Sequence, residues 1–314
     1  MRQRDGDNLI GSVLPAAGRV FVGFSGGADS MALLLMLAES APGRVTAVHF
    51  QHGLRGAAAE RDAAWCRKFC GARKIPFKLV RLAVVKSRRP GESLEEAARR
   101  CRLEKWRKLA GPDDVVALGH HADDRLEELL LRLARGANVS GLVGLRPERV
   151  VEGVRFVRPL LGLRRAEIEE FLRACGVKKW REDGSNADVA FRRNAIRHKW
   201  LPLIREDAGH DRGLLASLES LALDADFLEA EAARRLPAMT SLAAWRGLHP
   251  ALLPRVLRLW LGRELGRDMV PLHAAIERLR GELARKPAGT RLVPLGGGVT
   301  LGVSRRGVVP VDRG

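Results

Sequence analysis

Ser25-Gly26-Gly27-Ala28-Asp29-Ser30 puts two glycines, two hydroxyls and a carboxylate into one short turn between apolar stretches. Glycines let the backbone turn tightly and approach a ligand closely. Free N–H groups at the start of the following helix, with its dipole, favour an anion. Ser25 and Ser30 add hydroxyl donors. The run holds no lysine, which separates it from the G-x-x-x-x-G-K-S/T loop that grips β- and γ-phosphates. Asp29 repels a phosphate unless a divalent cation bridges them. The residue types therefore point to a pyrophosphate-holding loop that takes Mg²⁺ through Asp29. A plain strand–helix turn with an Asp or Ser cap is the competing reading.

His120 and Asp124 stand four apart, where the apolar run Val115–Leu118 gives way to a helical pattern. Such a pair can orient an amine, accept a proton or hold a metal-bridged phosphate. Asp124 and Glu127 are i, i+3 and lie off the stripe Leu126, Leu129, Leu130, Leu133, so both can face a cleft. A solvated helix face is the alternative for Glu127 and Glu128, and His121 reads as structural. Arg193, Asn194 and Arg197 gather at the start of a later helix, where arginines can pair bidentately with phosphates. Pairing with Glu182 or Asp183 is their structural alternative.

These residues need a scaffold. Strand-like runs at Arg19–Phe24, Val45–Phe50, Phe77–Leu82 and Val115–Leu118 alternate with helical patterns at Met31–Ala38, Glu60–Arg73 and Leu94–Leu109. That alternation predicts an α/β fold, a mostly parallel sheet with helices on both faces. Ligands in such sheets bind at the carboxyl ends of strands, and the polar motifs begin at Ser25, after Phe50 and at Gly119. A helical stripe Ile168, Phe171, Leu172, Cys175 follows. From about Leu214 the composition turns to Ala, Leu and Arg, which predicts a small helical domain. Apolar patches at Thr290–Leu295, Val299–Val303 and Val308–Val311, broken by glycines, predict a short C-terminal β segment. The expected division is a catalytic domain over 1–208 and an accessory domain over 209–314.

The chain has 314 residues, 46% of them hydrophobic, which suits a packed globular protein. Its formal charge of +18 implies a polyanionic partner, nucleic acid first, unless it only reflects a genome rich in arginine codons. The four cysteines form no C-x-x-C pair, which argues against a thioredoxin-like motif or a zinc ribbon. An N-terminus without an apolar leader core, and no long apolar run, predict a soluble cytoplasmic protein with no membrane partner.

The Ser25–Ser30 run resembles the signature of the N-type ATP pyrophosphatases (the PP-loop, adenine nucleotide alpha-hydrolase-like superfamily). The resemblance implies that an oxygen nucleophile attacks the α-phosphate of ATP and pyrophosphate leaves. Further segments narrow it: His49-Phe50-Gln51-His52-Gly53-Leu54-Arg55, Gly119-His120-His121-Ala122-Asp123-Asp124, Arg135-Gly136 with Gly141–Leu145, and Glu182–Asn186 with Arg192–Arg197. Their order and spacing over roughly 19–206 are similar to the tRNA(Ile)-lysidine synthetases, in the short form without a final extra domain. That family implies ATP-dependent adenylation of the wobble cytidine of tRNA(Ile) with a CAU anticodon. Free lysine then displaces AMP and is joined to C2.

On this resemblance, Ser25, Gly26, Gly27, Ala28, Asp29, Ser30, His49, Phe50 and Gly119 hold the nucleotide. Asp29, His120, Asp124 and Arg193 carry catalysis. Asp124, Glu127, Arg55, Arg99, Arg102, Asn194 and Arg197 contact lysine or tRNA. ATP and Mg²⁺ are the implied cofactors, and a homodimer is compatible with the reading. Ala98-Arg99 and Arg102 match an A-R-x-x-R-Y helix of the family, but Leu103 replaces its tyrosine, and the chain has none. Gln51, Arg125, Glu128, Asn138 and Gly184 also depart from the family pattern. Arg125 matters most, because it puts a cation beside the lysine site. Arginines of 214–286 read as a solvated surface or as phosphate-positioning groups, and Trp245 and Trp260 read as core. Three rivals stand beside the ligase: a tRNA thiolation enzyme, which needs paired cysteines; a tRNA-binding protein with a decayed loop; and a small-molecule amidating synthetase, which gives no reason for the charge of +18.

Overall fold

A computed structural model describes residues 14–53, 56–181, 192–206, 210–266, 269, 271–286 and 289–311. The chain divides into two compact units, Met1–Ser217 and Leu218–Gly314.

The first unit runs β1 (Val20–Gly23), α1 (Ala28–Ser40), β2 (Val45–Gln51), α2 (Ala57–Ala72), β3 (Phe77–Arg81), α3 (Leu94–Leu109), β4 (Val115–Ala117), α4 (Ala122–Leu133), β5 (Glu148–Val151), β6 (Val154–Val157) and α5 (Arg165–Ala174). After it come α6 (Arg192–Ala195), a π-helical turn Ile196–Trp200, and α7 (Leu201–Glu206). The sheet order is β3-β2-β1-β4-β6-β5, parallel except for β5. The order reverses between β1 and β4, so the two strands diverge in their connections and leave a crevice at their carboxyl ends.

Side-chain alternation along β1 explains how both faces are covered. Val20 and Val22 enter one core with α1, α2 and α5; Phe21 enters the other with Leu103 and Trp106 of α3. α1 is apolar all round because it is enclosed: Met31, Ala32, Leu33, Leu34 and Leu37 have no exposed surface. At the opposite edge of the sheet from the crevice, Asp114 ties the starts of β1 and β4 together. It accepts from the Arg19 N–H at 2.7 Å and the Gly111 N–H at 2.8 Å.

The β5–β6 hairpin was not foreseen from the sequence. Its turn is Glu152-Gly153, with φ of +47° and +80°. Two successive positive φ values match strand twist in a two-residue hairpin, but Asn or Asp ordinarily holds the first position.

The boundary between the units falls within α8 (His210–Arg235). Asp211, Leu214 and Leu215 belong to the first unit, through an ion pair to Arg164 and packing with Leu126, Ile196 and Leu201. The second unit continues with α9 (Leu242–Arg246), α10 (Leu253–Leu265), α11 (His273–Ala284) and an antiparallel sheet β7 (Arg291–Gly296), β8 (Val299–Ser304), β9 (Gly307–Val311). Trp245 and Trp260 meet edge to face at 5.4 Å within its core, beside Leu279, Leu295 and Leu301.

Candidate active site

The loop after β1 is braced from within. Ser30 Oγ accepts from the Ser25 N–H at 3.2 Å and donates to the Gly27 carbonyl at 2.9 Å. The Gly27 N–H donates to Ser25 Oγ at 3.3 Å. Gly26 has φ +84°, and a Cβ there would lie 3.1 Å from both Cys66 Sγ and the Trp65 ring. The loop therefore needs glycine both for its backbone angle and for space. The amides of Ala28, Asp29 and Ser30 open α1, where no preceding turn can accept them. Gly119, at the end of the neighbouring strand, packs on this opening. A Cβ on it would stand 3.1 Å from the Asp29 carbonyl carbon and 3.2 Å from the Ser30 nitrogen.

Asp29 is not left bare. Arg165 Nη1, in the first turn of α5, donates to both of its carboxylate oxygens at 2.8 and 2.7 Å. His121 Nε2 lies 3.7 Å from Asp29 Oδ1 and 3.6 Å from Asp124 Oδ2. Burial raises the Asp29 carboxyl above its ordinary range; the charges of His121 and Arg165 pull it back, while Asp124 pushes it up. The Asp123 N–H donates to His121 Nδ1 at 3.2 Å, so a neutral ring carries its proton on Nε2, toward the two carboxylates.

The helix start behind this cluster is self-capped. His121 is the N-cap of α4, and Asp124 accepts from the His121 N–H at 3.0 Å, completing a capping box. Asp123 is buried and receives the Arg165 N–H at 3.3 Å and the Arg205 guanidinium. Glu127 has no exposed surface and forms a forked pair with Arg197, Nε to Oε1 at 2.6 Å and Nη2 to Oε2 at 3.1 Å. Arg197 also lies 3.6 Å from Asp124. Burial alone would lower Arg197; Glu127, then Asp124 and Asp29, outweigh it and keep it firmly cationic. Arg197 sits in the π-helical turn, a local widening that recurs at functional sites.

Most of the residues expected from the sequence meet here: the Ser25–Ser30 loop, Gly119, Asp124, Glu127 and Arg197. Others take different places. His49 is buried, and its Nδ1 contacts the Phe24 carbonyl at 2.8 Å, which ties β2 to the end of β1. The Phe50 ring meets Trp106 edge to face at 4.8 Å, inside the core on the α3 side of the sheet. His120 is half-buried on the loop before α4, and Asn194 is buried on α6. Arg99 and Arg102 are exposed on α3, away from α1. Arg125 is 9% exposed, so the cation expected beside the lysine site is buried. Arg55, Glu182, Asp183, Gly184 and the Arg193 side chain lie outside the described residues. Glu127 does not lie on a solvated face.

Three contributors were missed: His121, set aside as structural, and Arg165 and Arg205. One signal in the sequence points to Arg165. Two arginines at the start of a helix oppose its dipole, so such a pair needs another reason to be there.

A family model described as a PP-loop domain matches residues 3–204, and one described as a TilS substrate binding domain matches residues 241–307. The chain is 33% identical over 324 residues to a tRNA(Ile)-lysidine synthase of Pseudomonas putida, covering 87% of this chain and 74% of that one. It is 42% identical over 217 residues to the tRNA(Ile)-lysidine synthase of Solibacter usitatus, covering 68% and 46%. With that of Geobacter sulfurreducens it shares 38% over 297 residues, covering 88% and 62%. Matches to the first relatives thus span about half their length, 46% and 44% in two cases. Among solved structures, a U34-tRNA thiolase, NcsA, of Methanococcus maripaludis has a TM-score of 0.53 at 18% identity, covering 69% of this chain and 78% of that one. That likeness concerns the fold.

Proposed function

The chain belongs to the tRNA(Ile)-lysidine synthase family, and on that premise we propose that it is an ATP-dependent ligase joining lysine to C2 of the wobble cytidine of tRNA(Ile) with a CAU anticodon. The observation that carries the proposal is the loop at the crevice between β1 and β4, where the α1 amides, Gly119 and a charge-balanced Asp29 converge. In the first half-reaction the cytidine oxygen attacks the α-phosphate of ATP and pyrophosphate leaves into the amides of Ala28, Asp29 and Ser30. In the second, lysine displaces AMP from the adenylated cytidine.

Asp29 fits Mg²⁺, because that ion is commonly held by one or two carboxylates plus substrate phosphates rather than by a protein cage. Bound there, the ion would neutralise the phosphates as charge moves onto the leaving group. The Arg165 guanidinium supplies the countercharge to Asp29 in its absence.

Asp124 and Glu127 line one side of the same cluster and supply the negative field for the lysine ammonium. Arg197 holds Glu127 in a fork and lies 3.6 Å from Asp124, so it faces both carboxylates. The second unit, 218–314, is proposed to receive the tRNA body. Its Arg234, Arg235 and Arg280 pair with carboxylates three or four residues away, and Arg258 pairs with Glu229, so those side chains behave as an ordinary helix surface.

A thiolation activity is disfavoured by cysteine chemistry. Burial pushes the Cys66 and Cys70 thiols up to about 12, where they stay protonated and poor at handling sulfur. A cytoplasmic location is part of the proposal; no described helix is long and apolar enough to cross a membrane. The test is to incubate the protein with ATP, Mg²⁺, labelled lysine and tRNA(Ile) bearing CAU. Label at the wobble cytidine, with one pyrophosphate released per lysine, is expected. No incorporation overturns the reading.

A further inference from the structure

α3 packs on the sheet through Leu103 and Trp106, against Phe21, Val48, Val116 and Phe156. Arg99 and Arg102 lie four residues before these two, so they extend the same helical stripes by one turn. α3 returns from the carboxyl end of β3 toward β4, which places that turn at the carboxyl edge of the sheet. From the other side, Arg149 on β5 pairs in register with Phe156 on β6, and so shares the face that Phe156 presents. Arg158 follows two residues after Phe156.

The four guanidiniums feel one another. Arg158 is pushed below the ordinary guanidinium range by burial, then by Arg149 and Arg99. Arg102 is lowered by loss of water and by Arg99, while Glu95 pulls it partly back. His52, after β2, is lowered by burial, Arg102 and His49.

No carboxylate lies within ion-pairing distance of Arg99, Arg102, Arg149 or Arg158 among the described residues. Their neighbours are treated differently: Arg100 pairs with Glu92 at 2.8 Å, Arg107 with Glu152 at 3.0 Å, and Arg155 with Glu148 at 2.7 Å. Arg158 Nη1 donates to the Arg146 carbonyl at 2.9 Å, while Arg158 Nε and His52 Nδ1 are buried without a partner among the described residues. Like charges gathered with no carboxylate in ion-pairing reach work against folding. An anion supplies the countercharge. The nucleotide loop opens on α1, on the other face of the sheet, and β4 and β6 separate β1 from Arg149. An anion held by these arginines therefore lies away from the pyrophosphate site.

We propose that Arg99, Arg102, Arg149 and Arg158 form a binding site for successive backbone phosphates of the RNA substrate. The proposal rests on the tRNA-ligase reading and adds where the RNA backbone runs. Guanidinium forks suit phosphate oxygens bidentately and read no base, so the site positions RNA without selecting its sequence.

The test uses the full chain with Arg149→Gln, Arg99→Gln and the double variant, both positions being exposed and free of ion pairs. Binding of tRNA(Ile) with a CAU anticodon is measured by fluorescence anisotropy over a salt series, and the KM for ATP beside it. Each lost phosphate contact is expected to lower the slope of log affinity against log salt by about one, and the double variant by about two. Low-salt affinity of the double variant is expected to fall about tenfold or more, equally for an unrelated tRNA, with the thermal midpoint and the KM for ATP unchanged. A double variant with the wild-type slope overturns the site while leaving the ligase reading intact. A raised KM for ATP with an unchanged RNA slope overturns it in favour of the nucleotide. Wild-type protein without salt-dependent tRNA binding overturns both.

Discussion

Arg165 Nη1 reaches both carboxylate oxygens of Asp29, at 2.8 and 2.7 Å, across 136 residues of chain. The contact joins the first turn of α5 to the first turn of α1, two helices that pack on the same face of the sheet. Near the start of a helix a cation meets an unfavourable dipole, and Arg165 is held there by Asp29 and by Glu169 at 2.8 Å. The pair keeps a carboxylate at the proposed phosphate site without leaving it as bare negative charge.

Exchanging Arg165 for Met should therefore leave the fold intact and damage nucleotide use. We expect kcat/KM for ATP to fall at least about tenfold, a loss of roughly 1.4 kcal/mol of transition-state stabilisation. Pyrophosphate release measures it. Asp29→Ala should abolish release with little change in thermal midpoint; normal activity in that variant would place the nucleotide elsewhere.

Gly119→Ala tests the close approach of β4 to the loop. The added methyl would press on backbone, not on a side chain that can swing away. Overpacking of this kind costs about 1–3 kcal/mol. We expect a lower thermal midpoint and a larger loss of pyrophosphate release, because the atoms displaced are those of Asp29 and Ser30. Wild-type release at a temperature where the variant is folded would show that the loop can yield.

Glu127 and Arg197 should behave as a coupled pair. Removing either partner of a buried ion pair costs about 3–5 kcal/mol. Arg197 is 34% exposed, so water screens part of the loss and the lower end of that range applies. Urea unfolding of Glu127→Gln, Arg197→Met and the double variant provides the measurement. The double variant should be less destabilised than the sum of the singles, whereas additive losses would mean no coupling.

Asp114 gives an acid-side dependence. Burial alone would raise its carboxyl, but hydrogen bonds from the Arg19 side chain and backbone and the Gly111 N–H hold it down at about 2. The folded value lies below the unfolded value of about 3.9. Its stabilising contribution is therefore complete above about pH 4 and is lost as pH falls toward 2. Asp114→Asn should lower stability at neutral pH by about 2 kcal/mol and flatten the stability profile between pH 4 and 2. An unchanged profile would mean that other carboxylates set the acid limit.

The sequence alone determined the scaffold and the make-up of the loop after β1, where the phosphate end of the site is proposed. Strand–helix alternation follows from local hydrophobic periodicity, and the loop needs glycines, hydroxyls and a carboxylate within one turn, so both are written in consecutive residues. The β5–β6 hairpin escaped because its Glu152-Gly153 turn lacks the usual Asn or Asp. Helix spacing brought out Asp124 and Glu127, but it could not tell that Glu127 is fully enclosed and already held by Arg197. Nor could it choose between adjacent histidines: backbone geometry at the α4 cap, not residue type, turned His121 toward Asp29. Only the tertiary structure paired Asp29 with Arg165, Asp123 with Arg205 and Glu127 with Arg197. An ion pair depends on where two distant elements meet in space, and local pattern carries no record of that meeting.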